Sequence, residues 1–387
     1  MATEANSHAN LALDLRAALV IGLAAAIADA ACRGVGLSGD SLAYGAVIAA
    51  LVVRPDFSRW PALIYPVLLV VVGLGLGIGV SLGLALSDVP ELLLFGLVAA
   101  LMQLLALILP SKLRLLSGVV AVAGVLPLLG TPSWEAWRDQ MLALSLGLAI
   151  GTLLQLVFTP ATEAESFDTT PTEHPPAEAE PAPDPPLGVR LRSGLRSPFF
   201  WRKLIVASLA YTVGVGVGAV TPKYLYFGVV LLLNDSIGAT LARVRDRMVG
   251  VSLGVLMPLL VFNSLGLSEL SVGLVMGGTA ALVVALNQQS HLRTALISSG
   301  VAFIGYGPLV AWYIPHRWID YLMGCGLALA TGLLLFPSSA LRRFNSLSDA
   351  ANQPGRWSEL QALLPAAREE ARWLGLPTPA LPTPPNT

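Results

Sequence analysis

Apolar runs long enough, or nearly long enough, to cross a hydrocarbon core of about 30 Å recur along the whole chain. They fall into two sets of six, separated by a polar stretch. The first set lies near 13–32, 38–53, 62–86, 91–109, 113–129 and 140–158. The second set lies near 201–220, 224–241, 248–265, 270–286, 292–313 and 318–336. The pattern predicts an all-α integral membrane protein with about 12 transmembrane helices.

The polar stretches divide the chain further. Between Thr159 and Ser197, seven acidic residues precede any Lys or Arg, and prolines recur, so this segment is expected to be a disordered linker. After Phe336 the chain turns polar again, with a helix predicted to start at Trp357 and to be interrupted at Pro365. An interfacial or loosely docked helix fits this tail. The predicted organisation is a cytoplasmic N-terminal segment (1–12), a first membrane repeat (13–158), the linker (159–197), a second repeat (198–336) and a cytoplasmic tail (337–387).

The two sets resemble each other in sequence. WRDQMLALSLGLAIG, which begins at Trp137, and WIDYLMGCGLALATG, which begins at Trp318, share Trp, an Asp two residues later and a Gly twelve residues after that. Tyr44-Gly45 likewise matches Phe227-Gly228. An even number of spans in each set gives both the same orientation, so the pattern predicts two parallel six-helix repeats related by an axis along the membrane normal.

Charge refines the prediction. Charged residues make up 12% of the chain, against about 25% in soluble domains. With the N-terminus inside, the cytoplasmic segments near the membrane hold sixteen Lys and Arg and the outer loops four, which favours a multi-pass protein of the plasma (inner) membrane with both termini cytoplasmic. The net charge of −1 gives no overall basic field that would bind nucleic acid.

Catalytic motifs occur without the context that they need. Gly34–Gly39 matches GxGxxG and Gly250–Gly254 matches GxSxG, but neither follows a predicted strand. The second string recurs at Gly79–Gly83, which favours helix packing over two nucleophiles. No P-loop, HExxH or CxxC occurs. We therefore expect no enzyme activity, cofactor or metal.

Polar residues inside the apolar runs are the candidates for a substrate or proton pathway. Asn234 and Asp235 lie about 15 Å into their span, and the aligned first repeat carries Arg54 at similar depth. A cation and an anion facing each other between the repeats is one interpretation, and a capped helix end at 234–236 is the other. Gln103 lies in the middle of the fourth span, where it either lines a site or bonds a neighbouring helix. The candidate residues are Arg54, Asp56, Gln103, Asn234, Asp235, Arg243 and Arg247.

The stretch YLYFGVVLLLNDSIGATLARVRDRMVGVSLG, from Tyr224, resembles the fusaric acid resistance / aromatic acid exporter (FUSC) family. It combines an aromatic start, a polar break followed by GAT, spaced arginines and a glycine-rich third span. The family's polar break commonly contains proline, present here at Pro55 but not in LNDSIGAT, and many members carry a folded cytoplasmic domain where this chain has a linker. The resemblance implies proton-motive-force-driven efflux of small, mostly aromatic, carboxylic acids.

The function class and the partners stay open at this stage. An organic-anion channel, distantly similar to the aluminium-activated malate transporters, is the alternative, with Arg54, Arg59, Arg243 and Arg247 around a pore. The expected partners are a small organic anion and the lipid bilayer, and a periplasmic adaptor or a second copy of the chain is left open. A membrane enzyme or a structural protein is the remaining class.

Overall fold

The structure is a computed structural model that describes residues 2–53, 60–87, 89–108, 128, 133–158, 186–219, 222–233, 236–334, 339–348 and 356–382. Within these residues every regular element is helical, as the pattern predicted. The helices are α1 (Ala2–Gly34), α2 (Asp40–Val52), α3 (Trp60–Ala85), α4 (Glu91–Ile108), α5 (Trp134–Phe158), α6 (Leu187–Arg196), α7 (Pro198–Gly216), α8 (Pro222–Leu232), α9 (Ile237–Gly254), α10 (Leu256–Leu265), α11 (Glu269–Ala285), α12 (Leu292–Gly300), α13 (Val310–Leu334), α14 (Ala340–Ser348) and α15 (Arg356–Trp373).

Three helical stretches of the described residues are long and apolar enough to cross a membrane: Leu15–Gly34, Trp134–Phe158 and Ile237–Leu265. Shorter apolar helices accompany them, among them Glu269–Ala285. The predicted fifth span of the first set, 113–129, lies outside the described residues except for Leu128. The chain is therefore helical and carries apolar helices of membrane length.

The largest departure from the predicted spans lies around the second polar break. The pattern placed Arg243 and Arg247 in a loop between runs at 224–241 and 248–265, and this was wrong. Helix α8 ends at Leu232, and the Ser236 hydroxyl accepts a hydrogen bond from the Ala239 backbone N–H (3.2 Å), which caps α9. Because hydropathy averages over the polar turns of a helix, it missed that Arg243, Arg245 and Arg247 lie inside a continuous helix.

Two further boundaries differ from expectation. Residues 187–196 of the predicted linker form helix α6, so the expectation of disorder was wrong there, while 159–185 lie outside the described residues. The fifth run of the second set is broken, because α12 ends at Gly300 and a π-helical turn (Val301–Gly305) precedes α13. Residues 2–12, which belong to the predicted N-terminal segment, are part of the first helix.

Helix pairing gives the bundle its plan. Helix α1 packs most extensively against α11, and α4 packs against α7. Helix α2 packs against both α1 and α5, and α8 packs against both α7 and α13. Small residues allow the close pairs: a Cβ on Gly45 would lie 3.3 Å from the Ala143 carbonyl oxygen, and one on Gly228 would lie 3.8 Å from the Gly324 Cα.

The tail forms a helical hairpin, α14 and α15, that docks on α9. Glu370 is buried and accepts hydrogen bonds from the Ser339 hydroxyl (2.5 Å) and the Ala340 N–H (2.8 Å), so it caps α14 from the neighbouring helix. A side chain at Gly238 of α9 would clash with the Ala366 carbonyl oxygen. Helix α15 runs through Pro365 without interruption. The expectation of a loosely docked, interrupted helix was therefore wrong.

Candidate functional site

The α4/α7 pair holds a buried cation between two helices. The Lys203 ammonium on α7 donates a hydrogen bond to the Gln103 Oε1 on α4 (3.1 Å), and Lys203 is only 6% exposed. Gln103 was predicted to line a site or to bond a neighbouring helix, and it bonds one. Since the amide is neutral, this bond brings no negative charge to the ammonium.

Aromatic and cationic groups surround that ammonium. The Phe199 ring lies one helical turn before Lys203, with the Lys203 nitrogen 5.6 Å and the Arg202 guanidinium carbon 5.4 Å from its centroid. Arg202 is 2% exposed. Within the described part of the chain, no carboxylate lies within ion-pair distance of Lys203. A ring face stabilises a cation by its quadrupole but supplies no counter-charge.

Helix α9 brings two of the predicted arginines to this region. The positive charge of Arg243 acts on Lys203, so the two cations lie within Coulombic range of each other. Arg247 follows one turn later and donates a hydrogen bond from Nη2 to the Tyr321 hydroxyl of α13 (3.2 Å), above the Tyr321 ring. Tyr321 is fully buried. The predicted residues Gln103 and Arg243 are thus both associated with Lys203, and Arg247 is anchored to α13.

An aromatic stack lies further along the same helix pair. Phe95 is stacked on Tyr211 with ring centroids 4.3 Å apart, and Tyr226 of α8 meets Phe95 edge-on at 4.6 Å. Phe95 precedes Gln103 by eight residues, or about 12 Å along α4. The Tyr226 hydroxyl is buried and forms no hydrogen bond within the described residues. The α4/α7 pair therefore offers a cationic end and an aromatic wall.

Four of the predicted site residues, Arg54, Asp56, Asn234 and Asp235, lie outside the described residues. The proposed pairing of Arg54 with Asp235 stays a prediction. The chain resumes at Ser236, which caps the start of α9.

A second polar cluster lies at the other long helix pair, α1/α11. The Arg33 Nε donates to Asp29 Oδ2 (2.8 Å) and lies 3.6 Å from Glu269 of α11. Asp29 and Arg33 are four residues apart on α1, so they meet on one face of that helix. Asp29 is fully buried, but here the carboxylate and the guanidinium compensate each other.

Sequence reasoning missed Lys203, Phe199 and Tyr321. Lys203 and Arg202 had been assigned to the cytoplasmic edge of a span, where basic residues are common and carry no information about a site. The available signal was the spacing Phe199-x-x-x-Lys203, which puts a ring and an ammonium on one face of a helix.

Other chemistry finds little support within the described residues. No group of three His, Cys, Asp or Glu side chains could hold a metal ion there. The GxSxG string is helical, and a Cβ on Gly254 would clash with the Ala295 carbonyl oxygen of α12, so its glycines serve packing. Searches against family models, curated proteins and solved structures find no match.

Proposed function

We propose that the chain is a secondary transporter of small organic anions with two parallel six-helix repeats, working as an exporter of aromatic carboxylic acids in the manner that the FUSC resemblance implies. The observation that carries the proposal is the Lys203 ammonium, which is 6% exposed and held by the neutral Gln103. A buried cation without a counter-charge is costly, and a bound anion removes that cost.

The paired contacts support the repeat arrangement. If α1 corresponds to α7 and α4 to α11, then α1/α11 and α4/α7 are the same interface made twice. In the same way α2/α5 corresponds to α8/α13, with Gly45 and Ala143 at one contact and Gly228 and Gly324 at the other. Both pairs of residues stand at matching positions in the two sequence repeats.

The site suits a carboxylate attached to a ring. The ammonium of Lys203 binds the carboxylate, the Gln103 amide holds the ammonium in place through its oxygen, and Phe199 provides an aromatic face beside them. Arg243 is exposed and adds positive potential that attracts an anion towards the pair. Since Lys203 is buried, the effect of its charge on an anion exceeds that of a surface arginine.

Gln103→Glu is the sharpest test of this site. The change adds a carboxylate beside Lys203, which keeps the contact and supplies the missing charge from within the protein. In proteoliposomes with a proton gradient, we expect uptake of radiolabelled benzoate to fall by at least about tenfold, because losing 1.4 kcal/mol of binding free energy is already tenfold. Lys203→Gln should show the same loss, whereas Lys203→Arg should keep part of the activity.

Arg293→Gln serves as the control, because it removes one positive charge from an exposed position on α12. Full benzoate uptake in Gln103→Glu would contradict the site. A current that follows the benzoate gradient and ignores the proton gradient would instead identify an anion channel. If the unchanged chain and all variants fold normally but take up no benzoate, the proposed substrate class is wrong.

A further inference from the structure

Helix α6 has a surface that the transport proposal does not use. It contains three arginines, Arg190, Arg192 and Arg196, and no acidic residue. Leu187, Leu191 and Leu195 recur every four residues and so lie along one face. Leu187 is 58% exposed and Leu195 is 40% exposed, although both are apolar. We infer that α6 is an interfacial helix that binds the anionic phospholipid headgroups of the membrane surface.

Arg190 gives a second, independent indication of an anionic ligand. Its Nε and Nη1 atoms are shielded and form no hydrogen bond within the described residues. A guanidinium carries five N–H donors arranged to bind a phosphate or carboxylate through two of them. Helix α6 packs against α4, one of the predicted spans, so the anionic ligand inferred for Arg190 is the phosphate of a lipid beside the bundle.

The position of α6 in the chain favours a membrane over a protein partner. Only Ser197 separates it from α7, and the Trp201 indole N–H donates to the Leu195 carbonyl oxygen (2.9 Å), which ties the end of α6 to the start of α7. Tryptophan is enriched at the level of the headgroups, where its ring is apolar and its N–H is polar. An apolar stripe flanked by arginines at that level is typical of a helix lying in the membrane plane.

Depth measurements on the full-length chain test the inference. A nitroxide label is placed at Leu195→Cys on the apolar stripe or at Ser193→Cys on the opposite face, and the protein is reconstituted in vesicles of phosphatidylcholine alone or with phosphatidylglycerol. In the anionic vesicles, we expect the label at position 195 to be at least about fivefold less accessible to an aqueous nickel complex than in neutral ones, since each arginine near an anionic surface contributes about fivefold. The label at position 193 should stay accessible in both.

Replacing the three arginines of α6 by Gln should abolish this difference, and replacing them by Lys should keep most of it. The control replaces Arg293, Arg342 and Arg368 by Gln, which removes the same charge elsewhere. Equal accessibility of the label at position 195 in both lipids would overturn the inference. Spin–spin coupling between labels in neutral vesicles would also overturn it, because the label would then be protected by a second copy of the chain. The inference rests on the proposed membrane placement but not on transport, so loss of benzoate uptake leaves it standing.

Discussion

The helix pairs α1/α11 and α4/α7 have equivalent places in the proposed repeats but different chemistry. In α1/α11, the polar contact is an ion pair, Asp29 with Arg33, joined by Glu269. In α4/α7, it is an ammonium on an amide, Lys203 with Gln103. In the first, the buried Asp29 carboxylate has a partner of opposite charge, whereas in the second no described residue supplies one to the ammonium.

The difference separates two uses of a buried polar group. A buried charge that is paired is stabilised by its partner, whereas an unpaired buried cation lowers stability unless something else binds it. Sites that bind charged ligands commonly contain a group that lowers stability while no ligand is bound. We therefore propose that α1/α11 is a structural interface and that α4/α7 is the interface that binds the ligand.

The largest expected effect comes from closing the space in α4/α7. An Ala at Gly96 would clash with the Ser208 hydroxyl and lie 2.6 Å from the Leu204 carbonyl oxygen, which is backbone and cannot rotate away. We expect Gly96→Ala to lower the free energy of unfolding by about 3 kcal/mol, the upper range for overpacking. Thermal unfolding of the detergent-solubilised protein measures this loss of stability.

Two variants calibrate that result. Gly22→Ala in α1/α11 should cost less, because its Cβ would clash with one atom, the Gly273 carbonyl oxygen at 2.7 Å, and would only crowd the Gly277 Cα at 3.2 Å. Gly75→Ala on α3, where a Cβ would meet nothing, should be neutral or slightly stabilising. If all three variants unfold alike, the close approach of α4 and α7 is absent in solution.

A smaller loss is expected from breaking the ion pair of α1/α11. Asp29→Asn leaves Arg33 without its main partner, and since Arg33 is a third exposed, we expect a loss of about 2 kcal/mol, below the range for a fully buried pair. Glu269→Gln should change stability by less than about 1 kcal/mol because Glu269 is half exposed. Comparison of the two melting temperatures checks the ranking, and a larger effect of Glu269→Gln would reverse our assignment of the main contact.

The smallest stability effect, with the opposite sign, is expected at Lys203. Lys203→Met removes the buried charge and keeps a side chain of similar length. The free energy of unfolding should therefore stay the same or rise by about 1 kcal/mol. Benzoate uptake should nevertheless be lost. Melting temperature and uptake measured on the same preparation separate a ligand-binding lysine from a structural one, since a structural lysine would lose both together.

Much of the fold followed from hydrophobic run length, because helices such as α4 and α11 are apolar over most of their length. The start of α9 could not be found in this way, since a helix with Arg243, Arg245 and Arg247 averages to a polar segment. The sequence predicted only those site residues that stand as single polar residues in apolar runs. Gln103 was therefore found, but its partner Lys203 was not, because their contact joins positions 100 residues apart.

The docked hairpin of α14 and α15 has a consequence for synthesis of the chain. Arg245 on α9 and its ion-pair partner Glu369 on α15 are 124 residues apart. At ribosomal rates of about 5–20 residues per second, the first is made roughly 6–25 s before the second. Throughout that interval the nascent α9 exposes the surface around Gly238 that α15 later covers, so a chaperone or a nascent partner has several seconds to engage it first.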